Sequence, residues 1–366
     1  MHEFSKLNNI IYINLDKSTD VLWHLVVHYK SNHIGSLSPS LGNRANQYLR
    51  IIKEVIRRKL GKTREVVRLP VPGLLALRVH QGFKVFNYKD GTVSKVFASS
   101  VPEEILRKEI ETTTSASRLD FAPKFIKDEP EKKSYTEELV TGQLAAVDAR
   151  IDSRFSLSLY DSHIADYLAR MITTDQIPDV QVSSILHELS DFIRDDSFSR
   201  LETKYPALSE IGRFYTDICG DLENFADKSV IKCYSHGDFS LENIIASRRN
   251  VKVIDWEGAE SRSILNDFFN YFFTEMYYRR LHVSLEIFDS AKQKLLDRLD
   301  GTLVKENVKS CYDIYCKIFY LERLKTILER DLNEGFIRVA SNSVLLFQTH
   351  EALHNDQAGK GKHAHE

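Results

Sequence analysis

The sequence has few cysteines, little net charge and no long apolar run, and each absence excludes a class of protein. Its 366 residues include four cysteines, and the spacing of the last two, Cys311 and Cys316, fits neither a disulfide framework nor a zinc site. We expect reduced, mostly buried thiols, as in cytosolic proteins. The formal net charge of -2 gives no reason to expect a nucleic-acid partner.

The hydrophobic pattern lacks the marks of membrane and secreted proteins. No uninterrupted apolar run approaches the ~20 residues that a membrane helix needs. The segment from Met1 to Asn9 has no apolar core of signal-peptide length. Hydrophobic residues make up 42% and charged residues 28% of the chain, which is ordinary for a folded protein. We expect a soluble, cytoplasmic protein with two substantial cores.

Changes of period and composition divide the chain into four parts, which together predict the α+β class. The second part has the alternation of a small antiparallel sheet with one helix, and Lys89-Asp90-Gly91 marks a hairpin turn within it. The third part is mainly helical, interrupted by one strand-loop-strand segment over 233–257. The four parts are an N-terminal helical extension (1–65), a sheet-rich lobe (66–141), a helical lobe (142–355) and a disordered tail (356–366).

A strongly amphipathic, basic helix is predicted over 44–60, within the N-terminal extension. Its apolar face includes Leu49, Ile52 and Ile56, and its other face carries six cations against the single acid Glu54. A solvated face on a packed helix is the simpler interpretation of this charge. A peripheral contact with an anionic membrane or a phosphorylated glycan is the alternative.

The most informative segment is a set of three polar side chains at short spacing. Asp238 lies in the polar turn His236-Gly237-Asp238, Asn243 follows it, and Asp255 comes directly after the apolar pair Val253-Ile254. Phosphoryl transfer from a nucleotide needs such a set, because a carboxylate must accept the proton of the attacking hydroxyl and oxygen ligands must hold magnesium. Turn caps and a strand end explain each residue singly, but not all of them at this spacing. The segment therefore predicts a kinase that acts on a hydroxyl group.

A small sheet-rich lobe, followed by a helical lobe with His-x-Asp-x-x-x-x-Asn and then Ile-Asp-Trp, resembles the aminoglycoside phosphotransferase and choline kinase family. The resemblance covers residues 66–340 and is anchored by the motif. It implies the bilobal protein-kinase-like fold and the binding of magnesium and ATP, with GTP as the alternative nucleotide. By this resemblance Asp238 is the catalytic base, and His236 braces its loop by hydrogen bonds. Asn243 and Asp255 become the metal ligands.

The resemblance also implies a phosphate clamp in the first lobe. Lys95 lies in an apolar strand, and the family has a lysine there that binds the α- and β-phosphates and is held by a helix glutamate. Glu109 is the predicted partner, although the register leaves other acids of the helix open. The competing interpretation makes Lys95 an edge-strand residue that prevents aggregation. The other acids are Glu103, Glu104 and Glu111.

Two further assignments follow from the resemblance. Backbone groups of the predicted hinge, over 137–140, are expected to receive the adenine; the hinge includes Glu138, Leu139 and Val140. Asp267 lies at a predicted helix start, where the family has an aspartate that ties down the catalytic loop. Capping of that helix explains Asp267 equally well.

The sequence departs from protein kinases in ways that bear on the acceptor. It has no Gly-x-Gly-x-x-Gly loop, and Asp255-Trp256-Glu257 stands where protein kinases have Asp-Phe-Gly. The short interval to Asp267 leaves no long activation segment, which argues against a protein substrate. We favour a sugar or glycan acceptor, because the helical lobe shows no evident excess of acids for a polycation. The alternatives are a catalytically silent kinase-like binding module and an amino-alcohol or aminoglycoside kinase that holds its amine through Asp161, Asp166, Glu257 or Glu260.

An aromatic-rich helix follows directly on the catalytic segment. Seven of its residues between positions 268 and 278 are phenylalanine or tyrosine. Packing in the core is the default interpretation of such a stripe. We expect a minority of these rings to line the pocket of the acceptor.

Overall fold

The computed structural model describes residues 1–6, 11–14, 53, 57, 65–152, 154–174, 176–194, 205–246, 251–278, 280–299, 303–329 and 334–363. The chain forms two compact units. The motif segment lies far along the chain, yet most of it belongs to the first unit. The first unit combines Met1–Asp148 with Glu242–Gly258, and the second combines Ala149–Leu241 with Ala259–Glu366.

The first unit is built on an eight-stranded antiparallel sheet with the strand order β3-β1-β2-β4-β5-β6-β8-β7. The predicted hairpin turn joins β5 to β6, and its residue Gly91 has the left-handed φ of 66° that such a turn favours. The strands are β1 (His2–Lys6), β2 (Ile11–Ile13), β3 (Val66–Leu69), β4 (Leu75–Val79), β5 (Gly82–Asn87), β6 (Thr92–Phe97), β7 (Phe125–Glu129) and β8 (Ser134–Glu138).

Apolar side chains cover both faces of this sheet, because successive residues of a strand point to opposite sides. Tyr12 and Val85 belong to one buried cluster, whereas their neighbours Ile13 and Phe86 belong to another. Phe4 of β1 joins the first cluster. The N-terminal strands, which the sequence places in a helical extension, are therefore part of the sheet.

The remaining elements of the first unit position the motif segment. Helix α1 (Glu103–Ala116) begins after Pro102, has acids in its first turn and packs Leu106 against the sheet. A three-stranded sheet in the order β13-β12-β9 follows. Its strands are β9 (Gln143–Leu144), β12 (Ile244–Ala246) and β13 (Val251–Val253), and α2 (Ala145–Ile151) continues from β9.

The second unit is mainly helical, as predicted, and the α+β class is confirmed. A three-stranded sheet in the order β10-β11-β14 accompanies the helices. Its strands are β10 (Ile177–Gln181), β11 (Ser229–Ser235) and β14 (Glu260–Ser263). The helices are α3 (Phe155–Leu159), α4 (Ala165–Thr173), α5 (Val182–Arg194), α6 (Ala207–Glu223), α7 (Asn266–Tyr277), α8 (Leu285–Arg298), α9 (Leu303–Leu328) and α10 (Glu334–His363), with a π-helical turn (Tyr160–Ile164) between α3 and α4.

Two of our predictions concern the ends of the chain. The tail predicted as disordered over 356–366 differs from the structure, in which α10 continues to His363. No proline interrupts that helix, so its hydrogen-bond ladder can continue. The basic helix predicted over 44–60 lies outside the described residues, except for Lys53 and Arg57. Within the part of the chain that the structure describes, no helix has the length and apolar character needed to span a membrane.

Candidate active site

Two lysines lie side by side on one face of the large sheet. Lys84 of β5 and Lys95 of β6 are directly opposite each other, so their side chains leave the sheet on the same face. Like charges at directly opposite positions repel. Lys95 is buried and Lys84 is largely so. This part of the sheet therefore needs acidic partners for two cations.

Lys95 is held by two carboxylates. Its Nζ lies 2.6 Å from Oε1 of Glu109, and both side chains are 4% exposed, so the predicted pair is present. Tyr135 donates a hydrogen bond of 2.8 Å to the same Glu109 oxygen. Burial raises the pKa of Glu109, and the charge of Lys95 opposes this effect. The second partner is Glu257, whose Oε2 is 2.5 Å from Nζ and whose side chain is 51% exposed.

The alternative interpretations of Lys95 and of its glutamate partner in α1 do not match the structure. The edge-strand interpretation of Lys95 is wrong, because β6 lies between β5 and β8 and the side chain is buried. The other acids of α1 are exposed and lie away from the lysine's side of the helix; they are Glu103, Glu104 and Glu111.

Asp255 contacts the other lysine. Its Oδ1 lies 2.5 Å from Nζ of Lys84. Burial alone would lower the pKa of Lys84, but the charges of Asp255, Glu137 and Glu257 outweigh it and raise that pKa. Asp255 has a left-handed φ of 72°, which aspartate tolerates better than most residues with a side chain. The turn after β13 thus presents its carboxylate to a cation.

The sequence did not single out Glu137 as a member of this charged group. Burial raises its pKa to about 7, the charge of Lys84 opposes that rise, and the charge of Asp255 adds to it. A half-buried acid whose pKa is shifted by burial and by several charged neighbours is typical of functional sites. The only sequence signal is a pair of glutamates within a predicted strand.

The residues predicted to bind magnesium fit that ion by their chemistry. The backbone N–H of Ile254 donates to the carbonyl oxygen of Asn243 at 2.9 Å, which ties the backbones on either side of the candidate ligands together. Asn243 and Asp255 both offer oxygen, and the Asp255 carboxylate already contacts the ammonium of Lys84. No group of three or more His, Cys, Asp or Glu among the described residues could hold a metal. Magnesium keeps several waters and needs only one or two carboxylates from the protein.

Two of the hinge donors are used within the first unit. The N–H of Glu138 donates to the carbonyl oxygen of Lys124 at 2.9 Å, and the N–H of Leu139 donates to that of Gly91 at 2.8 Å. Val140 is buried. An adenine ring that accepts hydrogen bonds from the N–H groups of Glu138 or Leu139 would have to replace these two bonds. The predicted adenine contact must therefore use other groups of the segment.

In the second unit, Asp267 holds the loop that begins at His236. The backbone N–H of His236 donates to Oδ2 of Asp267 at 2.8 Å, and that of Gly237 donates to Oδ1 at 3.0 Å. Helix α7 has no side-chain cap. Of the two interpretations of this buried aspartate, the structure therefore supports the tie to the loop rather than the helix cap.

The predicted brace by His236 is also present. This buried residue accepts the backbone N–H of Asp238 at its Nδ1, over 3.2 Å, and its ring meets that of Phe239 edge to face. Gly237, between them, has a φ of 78°, which a residue with a side chain rarely adopts. The loop is therefore held by hydrogen bonds, with Asp238 near its tip.

Asp238 itself is 41% exposed and contacts one cation that the sequence did not reveal. Nη1 of Arg323, in α9, lies 3.4 Å from its Oδ1. A lone arginine in a long helix gives no spacing signal. The candidate base is thus accessible and is partly neutralised from the side of α9.

A cavity of about 180 Å³ opens beside Arg323 in the second unit. Its walls come from α7, α9 and α10. Three rings of the aromatic-rich segment line it, namely Phe273, Tyr277 and Tyr278. The remaining rings of α7 are buried in the core, as predicted.

The boundary between the units runs between Leu241 and Glu242. The first unit brings together Asp255 with the two lysines and their acids. The second unit holds Asp238 with His236, Asp267 and Arg323. The convergence of Asp238, Asn243 and Asp255 on one metal and one phosphate stays a prediction.

Several solved structures are similar to this chain. A choline kinase from Streptococcus pneumoniae has 15% sequence identity and a TM-score of 0.46, over 81% of this chain and 99% of that chain. A Plasmodium vivax ethanolamine kinase has 12% identity and a TM-score of 0.47, over 91% and 94% of the two chains. A choline kinase from Cryptosporidium parvum has 12% identity and a TM-score of 0.48, over 80% and 90%. The structural neighbours of this chain thus include choline and ethanolamine kinases.

No model of a protein family and no curated protein matches the sequence. The function of this chain therefore has to rest on its own side chains.

Proposed function

We propose that the protein is a phosphotransferase that moves the γ-phosphate of ATP to a hydroxyl of a small molecule or saccharide, in the cytoplasm. The observation that supports this most is the buried pair of Lys95 and Glu109 beside a second lysine, Lys84. Replacing a buried ion pair by apolar residues is often neutral or stabilising, so folding alone gives little reason to keep it. The phosphates of a nucleotide supply that reason.

In this proposal the first unit binds the nucleotide. Lys95 and Lys84 donate charge-assisted hydrogen bonds to phosphate oxygens, and Glu109 keeps Lys95 in position. Glu257 has to leave Lys95 for this, which its half-exposed position allows. The adenine lies against the segment that includes Val140. GTP is the alternative donor.

Asn243 and Asp255 are the proposed magnesium ligands. Their oxygens match the preference of this hard cation, and their backbones are tied by the hydrogen bond from Ile254. Magnesium bound there would neutralise charge on the phosphates. Asp255→Asn keeps the shape of the side chain and removes the charge, so it should raise the magnesium concentration needed for nucleotide binding.

Asp238 is the proposed catalytic base. Its carboxylate accepts the proton of the acceptor hydroxyl while that oxygen attacks the γ-phosphorus. A new P–O bond forms, the bond from the γ-phosphorus to the bridging oxygen breaks, and ADP leaves. His236 and Asp267 act through the loop and are positioning residues.

Release of ADP over a panel of sugars, amino alcohols and aminoglycosides tests the proposal. Turnover on at least one acceptor, reduced by several orders of magnitude in Asp238→Asn, is the expected result. The variant must also bind magnesium–ATP like the wild type, because Asp238 is not assigned to the nucleotide. Equal turnover in wild type and Asp238→Asn would contradict the role of this residue.

A catalytically silent binding module is the second candidate. The observation that favours it is that Glu257 lies on Lys95, where a phosphate would bind. Magnesium-dependent ATP binding without ADP release on any acceptor would support the module. Phosphate that appears on protein, and on no small acceptor, would instead support a protein kinase.

A further inference from the structure

The cavity beside Arg323 is connected to the loop of the candidate base. Asn270, in its wall, donates a hydrogen bond from Nδ2 to the carbonyl oxygen of Phe239 at 3.4 Å. Phe239 directly follows Asp238, and Arg323 contacts the Asp238 carboxylate. The cavity walls therefore touch Asp238 and the residue after it.

One wall group is buried without a partner. Oδ1 of Asn270 has no hydrogen-bond partner among the described residues, and the side chain is 1% exposed. An unsatisfied buried acceptor costs about 1–3 kcal/mol, so such groups are normally paired with water or a ligand. Asn270 lines the cavity, and a hydroxyl group that reached Oδ1 from there would satisfy it. The other polar groups of the wall include the hydroxyls of Thr274, Tyr277 and Ser343.

The cavity offers no place for a cation. None of its described lining residues carries a carboxylate. The nearby Asp238 is paired with the guanidinium of Arg323, which always carries its charge. A buried ammonium group without a counter-charge is costly, and here it would also meet the charge of Arg323.

Three of the acids that could otherwise have held an amine are paired elsewhere in the second unit. Each of them contacts a lysine or arginine at a distance of 2.5–2.8 Å. The pairs are Asp161 with Lys294, Asp166 with Arg298, and Glu260 with Arg262. The fourth acid, Glu257, belongs to the first unit and leaves Lys95 in the proposed nucleotide complex.

Several aromatic rings of the cavity wall are already in contact with other side chains. The guanidinium of Arg280 already lies 4.8 Å from the ring centre of Tyr278. Phe273 packs on Phe319 and Phe347, and Phe347 stacks on Tyr320. Cation–π binding needs an accessible ring face. One face of Phe273, of Phe347 and of Tyr278 is therefore already covered by another side chain.

The size of the cavity suits a small acceptor. Its volume of about 180 Å³ is below the ~300–1,000 Å³ of drug-sized sites. A molecule of monosaccharide size agrees with this volume.

We propose that this cavity binds the acceptor, and that it selects a neutral, hydroxyl-rich molecule of monosaccharide size over an amine. Arg323 determines this selectivity, because it cancels the attraction of Asp238 for a cation. The proposal rests on the proposed phosphotransferase function and adds the chemical class of the acceptor to it.

Arg323→Gln is the test, and Lys325→Gln is its matched control, since it removes a positive charge two residues further along the same helix and outside the cavity wall. The acceptors are D-glucose, D-galactose, D-mannose and N-acetylglucosamine, compared with D-glucosamine and choline. We expect the wild type to prefer a neutral sugar in kcat/KM. Arg323→Gln should raise the ratio of kcat/KM for glucosamine to that for glucose roughly tenfold. Lys325→Gln should leave this ratio unchanged.

A wild-type preference for glucosamine or choline would overturn the proposal, as would an unchanged ratio in Arg323→Gln. Ligand-observed NMR with the same sugars and no nucleotide separates this failure from failure of the proposed function. If a sugar binds without ADP release and Ser343→Leu abolishes that binding, the kinase activity is refuted and the cavity remains the sugar site. If ADP release on a sugar is the same in Ser343→Leu as in the wild type, at a preserved melting temperature, the kinase activity stands and the cavity is not the acceptor site. If none of the neutral sugars binds or is turned over, the inference is wrong.

Discussion

Two carboxylates share the ammonium of Lys95. Replacing each by glutamine should change the stability of the protein to different degrees and its affinity for nucleotide in opposite directions. Glu109→Gln and Glu257→Gln each remove one negative charge and keep the size of the side chain. Glu109 is buried and also accepts a hydrogen bond from Tyr135, whereas Glu257 is half exposed. Each variant is therefore the matched control of the other.

The burial of each ion pair determines how much its loss should lower the free energy of unfolding. Breaking a buried ion pair by removing one partner costs about 3–5 kcal/mol, because it leaves a buried charge. Lys95 keeps Glu257 in the Glu109 variant, so we expect a loss near the lower limit, about 3 kcal/mol of unfolding free energy. An exposed pair is worth about 0–1 kcal/mol, so Glu257→Gln should change stability little.

Nucleotide affinity should separate the two variants further. Glu257 competes with phosphate for the ammonium, so its removal should tighten magnesium–ATP binding by up to about fivefold, the equivalent of ~1 kcal/mol. Glu109→Gln should weaken binding, because Lys95 loses the group that holds it. Urea denaturation, with the m-value as a check on the surface exposed, and titration calorimetry measure both effects. Equal stability losses, or weaker nucleotide binding in Glu257→Gln, would refute this reasoning.

Three further predictions follow from other parts of the two units. Asp267→Asn removes one of the two charged acceptors of the His236 and Gly237 N–H groups, so it should cost about 2 kcal/mol and lower kcat; an unchanged melting temperature would contradict this role. Burial lowers the pKa of His350 from 6.5 to about 3, so below pH 6.5 the unfolded state binds a proton that the native state does not. Stability should therefore fall by about 2 kcal/mol between pH 7 and pH 5, and His350→Gln should flatten that dependence in thermal melts. Lys84→Gln should weaken magnesium–ATP binding roughly tenfold by calorimetry, since it removes a charged donor, and tighter binding would show that Lys84 only blocks Asp255.

The sequence was most informative where chemistry depends on local spacing. The resemblance indicated a helix glutamate as the partner of Lys95, and the helical spacing left Glu103, Glu104 and Glu111 open beside Glu109; burial on the side of Leu106 distinguishes Glu109 in the structure. The mainly helical character of the second unit was also predictable, because its apolar stripes repeat at helical spacing.

Contacts between distant parts of the chain were not predictable in this way. Phe121 stacks on Trp256, and its carbonyl oxygen accepts the N–H of Val253. The strands β10 and β14 were missed, since one contains Pro178 and an irregular register and the other is a polar run without alternation. Arg323 reaches Asp238 only through the packing of α9, which no local pattern encodes.

The order of the large sheet also bears on how the chain folds as it is made. Strand β1 precedes both of its partners in the sequence, and it pairs with β2 and with β3, which begins at Val66. Synthesis at ~5–20 residues per second separates β1 from β3 by roughly 3–12 s. During that interval Phe4 and Tyr12 have no cluster to join, so the ribosome-bound chain presents apolar strand edges to chaperones or to other chains. Loss of the first six residues would likewise leave β3 without the strand that it pairs with in the described sheet.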